Sequence, residues 1–584
     1  MIDPITIDPI TLEVLRNRLI SIVDEQAAAL IHASFTTVVR EAGDLSAGVF
    51  DARGRMLAQA VTGTPGHINT MANCVRDYVV PRHPLASLSP GDTLITNDPW
   101  AASGHLFDFT VVTPVFHRGR GVGWFANTCH ATDIGGLSMG ADATEVFEEG
   151  LAVPLLKLFR GGEPNRELLE IVRANVRMPD MVIGDLYAQH TGNLVGARKL
   201  VEMLDEYGLP DVEAIGEAIL DRTEDAVRAA IREIPDGTYR SAVAIDGFDD
   251  PLRIECRVQV AGDTIAIDYA GSSPQVERGI NVVMNYTHAY STYTVMTVVA
   301  PAIPNNEGAF RPMTITAPPG SILNCRRPAA VAARHLIGHF VSQPILTALG
   351  QAVPERVMAE GSAGLWNTML EGRTGQDGEL FAYIFFSAGG MGARAHRDGL
   401  SATAFPSGIT GVPAEAIEAV APVLLHRRAL IRDSGGPGRF RGGLGQEMEL
   451  EVVTGNTAVH SPMYDRTRNP AHGFAGGEDG SVGEVVHSDG RALHPKKRYT
   501  LQPGERFTLR LPGGAGYHPP WQRDPAAVAE DVRQGYVSVR AAAQRYGVVI
   551  DPATGAVDHA ASVRRRRALA LTRSDRIDPP RVRE

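Results

Sequence analysis

The stretch SGHLFDFTVVTPVF, residues 103–116, sets His105 and Asp108 three positions apart at the head of a run of strand-forming residues. The stretch NTCHATDIGG, residues 127–136, repeats the spacing with His130 and Asp133 at the tail of another apolar run. A hydrolytic metal needs nitrogen and carboxylate ligands that converge from different segments and leave one coordination position open for water. His105, Asp108, His130 and Asp133 supply those types, and Asp44 or His67 could complete the set. Two nitrogens with one or two carboxylate oxygens suit Zn, Mn or Fe(II) alike. The competing reading is a pair of hydrogen-bonded turns, because His and Asp both cap loops readily. A lone His-x-x-Asp favours the turn, whereas two of them at neighbouring strand ends leave both readings open.

The elements that must hold these residues are legible as patterns. Residues 8–40 carry apolar positions at helical spacing after an Asp-Pro start, which predicts a long amphipathic helix. DLSAGVFDARGRMLAQA reads as a hairpin, with Asp44 where helix gives way to strand. DTLITNDP, FTVVTPVF and GVGWFANTCH read as strands parted by Asn-Asp-Pro and Arg-Gly turns, so both His-x-x-Asp pairs fall at strand ends. Residues 165–232 change to helical spacing in three segments closed by Gly or Pro. Residues 238–275 return to strand alternation, 285–300 and 329–352 read as helical, and beyond about 380 Gly-rich turns punctuate short strands. The class is α+β: a large, mixed, multi-domain chain with a helical block between β-rich segments. At 584 residues it exceeds what one core usually holds. The expected regions are 1–160 with the candidate site, 161–235 as the helical block, 236–425 as a central α+β region, and 426–584 as a Gly-rich β region with a helical end and basic tail.

Composition removes several function classes. A net charge of -11, with basic and acidic residues interleaved, leaves no footprint for nucleic acid. The arginine-rich tail, 562–584, reads as a solvated terminus or as a dock for an acidic surface. No window offers the apolar run of a membrane span, and the N-terminus lacks the pattern of a signal peptide, so a cytoplasmic protein is expected. Cys74, Cys129, Cys256 and Cys325 are far apart and form no C-x-x-C, which fits a reducing compartment. There is no Gly-x-Ser-x-Gly elbow, no Ser-x-x-Lys, no dinucleotide fingerprint and no P-loop. The glycine runs at 434–445 and 511–517 read as tight turns or anion cradles, and Glu307 and Arg311 in IPNNEGAFRP as a structural salt bridge or a substrate clamp.

The ordered succession DPITLEVLRNRL, NDPWAASGHLFDFTVVTPVF, HATDIGG, RMPDMVIGDLYAQ, IPNNEGAFRPMTITAPPGSILN, DSGGPGRFRGGLG, GGAGYHPPWQRDP and DVRQGYVSVRAAAQRYGV closely resembles the hydantoinase B/oxoprolinase family from about residue 5 to 550. The resemblance implies a B-type subunit in a hetero-oligomer whose A-type partner binds ATP and phosphorylates the substrate carbonyl. The B-type chain then completes hydrolysis of a small cyclic amide (hydantoin, 5-oxoproline or lactam) at a divalent metal, Mn, Zn or Fe. It further implies metal ligands at Asp44, His105, Asp108 and His130, with His67 and Asp133 as ligand-orienting or proton-transfer groups. A ketone carboxylase subunit of the acetone or acetophenone type, and a non-catalytic scaffold, are the alternative readings. Two departures stand out: WAASGHLFD replaces the family's Tyr-x-Gly-Gly-Thr-His-Leu-Pro-Asp, and the late glycine run is shortened to GGAG.

Overall fold

The computed structural model describes residues 8–61, 64–363, 365–375 and 378–573. Helix α1 (Pro9–Ala33) begins where the Asp-Pro signal puts it: the Asp8 carboxylate accepts from the Ile10 and Thr11 amides, and Pro9 has no amide to leave unpaired. The expected hairpin follows as β1 (Leu45–Phe50) and β2 (Met56–Gln59), then helix α2 (Pro65–Asn73).

These strands join a seven-stranded antiparallel sheet, order β2-β1-β5-β4-β3-β6-β7, with β3 (Thr93–Thr96), β4 (Asp108–His117), β5 (Arg120–His130), β6 (Leu156–Arg160) and β7 (Glu163–Pro164). Arg118 and Gly119 connect β4 to β5 with φ of 49° and 79°, the left-handed pair that a tight two-residue hairpin requires. From that turn the register runs, past one bulge at Val115/Phe116, to Asp108 opposite His130. Directly opposed residues share a face of the sheet, so the first residue of β4 and the last of β5 stand side by side. On the other side of β5, Leu45 pairs with Cys129, which leaves Asp44 one residue beyond the end of β1.

Both faces of this sheet are covered, which is why β4 and β5 are buried almost throughout. The helical block is α3 (Arg166–Asn175), α4 (Pro179–Glu206) and α5 (Glu213–Ile231). Leu45, Ala47, Val49, Phe125 and Cys129 form one core with α1, α4 and α5. A buried amide relay fixes α1 and α4 on the strands: Gln26 Nε2 and Asn127 Nδ2 both donate to Asn193 Oδ1 at 2.7 Å, and Gln189 Nε2 donates to Asn127 Oδ1 at 2.9 Å. On the opposite face Gly48 meets Met71 of α2, and it is toward this face that Asp108 and His130 point.

A second sheet, order β11-β10-β9-β8, holds β8 (Gly237–Ile245), β9 (Leu252–Ala261), β10 (Thr264–Asp268) and β11 (Met313–Thr316). Helix α6 (Met284–Val299) matches the expected 285–300. The expected helix over 329–352 instead begins only at α7 (His335–Gly338) and resumes as α8 (Ser342–Leu349), because 329–334 forms turns that grip the site described below. Two further sheets have the orders β13-β12-β16-β18 and β14-β15-β19-β17, from β12 (Leu365–Thr374), β13 (Glu379–Ala388), β14 (Val423–Leu430), β15 (Gln446–Val452), β16 (Ala458–Met463), β17 (Glu484–His487), β18 (Tyr499–Leu501) and β19 (Arg506–Arg510). The α+β class is what the chain adopts. The boundary expected at 425/426 falls inside β14, and one sheet draws strands from both sides of it, so those two regions interleave.

The glycine runs are irregular segments laced to each other through their backbones. The amides of Gly436, Gly442 and Gly514 donate to Gly514, Gly436 and Gly443 carbonyls at 2.8–2.9 Å, so these N–H groups are spent on one another and are not presented to an anion. Glu307 pairs with Arg76, and Arg311 with Asp221 and Glu224 of α5, so both act as structural ties and neither meets the other. All four cysteines are free and buried. Among the described residues no helix is long and apolar enough to cross a membrane. Helix α9 (His559–Arg573) takes up the start of the arginine-rich tail, while residues 574–584 lie outside the described residues.

Candidate metal centre

At the adjoining ends of β4 and β5, three ligand types converge. His105 Nε2 stands 2.9 Å and His130 Nδ1 3.0 Å from the same oxygen, Oδ1 of Asp108. Among the described residues this is the one cluster of three or more His, Cys, Asp or Glu side chains compact enough to hold a metal ion. The other Asp108 oxygen, Oδ2, accepts from Arg334 Nη2 at 2.6 Å and from His67 Nε2 at 3.1 Å. The carboxylate is thus divided, one oxygen turned to two imidazoles and the other anchored by a guanidinium and a third imidazole. Burial alone would raise its pKa, but the His67 imidazole and the Arg334 guanidinium outweigh that and hold it well below the usual carboxylate range.

The tautomer of His105 decides what this cluster can do. Its Nδ1 lies 2.9 Å from the Ala332 carbonyl, which can only accept, so Nδ1 carries the proton. Burial and the nearby Arg334 push the His105 pKa down to about 3, so the ring is neutral near pH 7. Its Nε2 therefore turns a lone pair toward the Asp108 carboxylate at 2.9 Å and makes no hydrogen bond. Two facing lone pairs in a buried site repel, and a cation between them removes the repulsion. The donor set fits a divalent metal on that ground, with His105, Asp108 and His130 to hold it.

Surrounding groups fix these donors. The Phe107 ring stacks on His130 with centroids 5.7 Å apart and lies 5.6 Å from His105. The buried Glu149 carboxyl group accepts from the Val331 and Ala332 amides at 2.5 and 2.6 Å, and so holds the backbone that leads into the Ala332 carbonyl on which His105 is oriented. Burial, only partly opposed by those two amides, raises the Glu149 pKa to about 8. Tyr286 of α6 carries the Arg334 guanidinium on its ring, 4.1 Å from the centroid. Gly66, Gly104 and Gly338 all press bare backbone toward Tyr286, and a Cβ at any of the three would crowd the tyrosine or the Arg334 stem. Each of these glycines directly precedes a histidine, His67, His105 or His339.

The residues singled out in the sequence fare differently. His105, Asp108 and His130 meet. Asp44 is not part of that compact cluster: its Oδ1 accepts from Thr64 Oγ1 at 3.2 Å and lies 3.5 Å from His67 Nδ1. His67 bridges Asp44 and Asp108, and although burial works against its charge, the two carboxylates raise its pKa. The Asp133 carboxylate takes the Gly135, Arg177 and Met178 amides and the Arg177 guanidinium, and none of its contacts is with the triad. It anchors the loop after β5 to the start of α4. Arg334, Glu149, Tyr286, His335 and His339 escaped the sequence reading, although a glycine-histidine dipeptide repeated at 66–67, 104–105 and 338–339 was a usable signal.

Comparison with known proteins agrees with this architecture. The family model for hydantoinase B/oxoprolinase matches residues 8–520, and the chain belongs to that family. It is 32% identical over 583 residues to the beta chain of caprolactamase from Pseudomonas jessenii, covering 95% of this chain and 98% of that one. It is 31% identical over 574 residues to the protein named as the B-type subunit of a D-/L-hydantoinase in Pseudomonas sp. (strain NS671), covering 93% and 95%. The crystal structure of the ATP-dependent caprolactamase from Pseudomonas jessenii superposes with a TM-score of 0.87 at 30% identity, over 96% of this chain and 100% of that chain. A nucleotide-free acetone carboxylase structure also scores 0.87, at 20% identity, over 97% of this chain and 84% of that one, and shares the fold.

Proposed function

We propose that this chain is the B-type subunit of an ATP-dependent amidohydrolase that opens a small cyclic amide at a divalent metal held by His105, Asp108 and His130. The observation that carries the reading is the buried His105 lone pair facing the Asp108 carboxylate, with the tautomer locked by Ala332. The names of the hydantoinase and caprolactamase relatives support the substrate class, and the lack of a P-loop in the sequence supports an A-type partner that handles ATP. The working assembly is then a hetero-oligomer.

The metal supplies Lewis acidity and a water that is nucleophilic near neutral pH. Everything else falls to the chain. Arg334 and His67 keep Asp108 ionised and turned toward the imidazoles. Asp44 supports the far side of His67, so this imidazole holds a proton between two carboxylates and can pass it to the departing amide nitrogen. The apolar floor of Phe107 and Phe386 against His130 limits water around the reacting atoms. Phosphorylation of the carbonyl oxygen by the partner would make that carbon a better electrophile: water adds to it, the C–N bond breaks as the nitrogen takes the His67 proton, and the acyl phosphate that remains is hydrolysed by a second water to the ring-opened acid and phosphate.

The test is elemental analysis of the purified chain beside the His105→Ala, Asp108→Ala double variant. About one Mn, Zn or Fe per chain, lost in the variant, is expected. No metal in the refolded wild type overturns the reading and returns the chain to a scaffold. Product analysis with labelled bicarbonate separates the carboxylase alternative, which the shared acetone carboxylase fold brings into play: label in the product means carboxylation, and a ring-opened acid means hydrolysis.

A further inference from the structure

The segment from Val331 to His339 grips the metal centre at three points: the Ala332 carbonyl on His105, Arg334 on Asp108, and Gly338 against Tyr286. Two of its side chains leave ring nitrogens unpaired. Both ring nitrogens of His335 and the Nδ1 of His339 are buried without a hydrogen-bond partner, and each residue is 3% exposed. An imidazole always brings polar nitrogens, and burying one unpaired costs about 1–3 kcal/mol. Groups left in that condition, side by side and beside a catalytic cluster, mark a place where something else completes the bonds.

The geometry narrows what that is. The two histidines are four residues apart, which puts them on one side of the turn, and their ring centroids are 5.8 Å apart. Leu336, Ile337 and Phe340 around them are buried, and the Tyr290 ring meets His339 edge-on at 5.2 Å. Burial first, and then the neighbouring His339 and Arg334, keep His335 well below its ordinary pKa, and burial takes His339 to about 3. His105 and His130 are near enough to contribute to the depression at His335. Arg334, the adjacent cation, is already committed to Asp108 and to the Ser103 carbonyl. Two uncharged rings, each with one donor and one acceptor, therefore suit an uncharged ligand with one acceptor and one donor, which is what an amide offers.

We propose that His335 and His339 form a subsite beside the metal triad that binds the amide group of the cyclic substrate, one imidazole donating to its carbonyl oxygen and the other accepting from its N–H. This rests on the amidohydrolase reading and extends it to how the substrate is held.

The test is calorimetric titration of the metal-loaded full chain with ε-caprolactam, hydantoin and 5-oxoproline, for the wild type and for His335→Phe, His339→Phe, His335→Gln and His339→Gln. The expected result is that at least one of these amides binds the wild type, that each Phe variant binds it about tenfold more weakly, as the loss of one hydrogen bond implies, and that each Gln variant recovers part of the loss. Metal content stays at the wild-type value in all four. If the Phe variants do not fold, the imidazole nitrogen resonances of His335 and His339 in the wild type decide, since both must shift when the binding amide is added. Unchanged affinity in the variants, unshifted resonances, loss of metal from folded variants, or no binding of any of the three amides overturns the subsite. Failure of the underlying reading shows separately, as a wild type without metal.

Discussion

His105 with Asp108 and His130 with Asp133 have the same spacing, yet three of the four residues join and the fourth departs. The first pair sits in the bend entering β4, where a tight loop brings both side chains to the same oxygen-centred cluster. In the second pair His130 is the last residue of β5, and the chain beyond it turns away toward the start of α4, where Arg177 and Met178 claim Asp133. In both pairs one member lies in a strand and the other just outside it, so it is the path of the chain outside the strand, and not the spacing, that decides which residues meet. The hairpin register, not the motif, recruits His130.

That contrast can be broken most severely at Asp108. Asp108→Ala should bring metal content to background and lower folding stability by about 3–5 kcal/mol, since Arg334 is left buried without its partner, as urea denaturation of the chain would show. Glu149 reaches the same centre through a peptide. Glu149→Leu should weaken metal binding roughly 10–100-fold in competition with a chelator, while Glu149→Gln, which keeps an acceptor for the two amides, stays near wild type. Asp133→Asn should do the reverse of Asp108→Ala: a stability loss of about 2 kcal/mol with full metal content. Metal loss in that variant would erase the distinction between the two pairs.

Acid sharpens the contrast further. His105, His335 and His339 are neutral in the folded chain, the first and last with pKa values lowered to about 3, while their ordinary value is 6.5. The unfolded chain therefore binds more protons between these values, and stability falls as pH drops from about 6.5 toward about 3. His67 works in the opposite sense: its raised pKa contributes stability that is complete below 6.5 and is lost as pH rises through the folded value. Replacing His335 by Gln should flatten the acid limb of a urea-stability profile by about 1.4 kcal/mol per pH unit. The smallest effect belongs to the hairpin itself. A Cβ at Gly119 meets nothing, so Gly119→Ala should cost only about 1 kcal/mol, through its positive φ, and leave the register and the metal in place.

How far the molecule was legible follows from these same residues. Helix α1, the hairpins and the helical block announce themselves through periodicity and through Asp-Pro, Gly and Pro signals, because those are local preferences. His105, Asp108 and His130 were legible because one hairpin turn is enough to bring them together. Arg334 and the Ala332 carbonyl lie 226 and 227 residues along the chain from the groups they hold, and no local pattern records such a pairing. The late start of the expected 329–352 helix has the same cause: the backbone there serves His105 and Glu149, and a regular helix would have spent that carbonyl on itself.

On the two proposals above, the short segment from Val331 to His339 would serve two ligands at once, with Ala332 and Arg334 on the cation's donors and His335 and His339 on the amide. Occupancy of one end would then order a stretch of backbone that the other end also uses. Thermodynamic reciprocity then requires that whatever factor the cation adds to amide affinity, the amide adds to cation affinity. The resting enzyme would hold its ion least firmly when empty of substrate, and chelators would strip it fastest between turnovers.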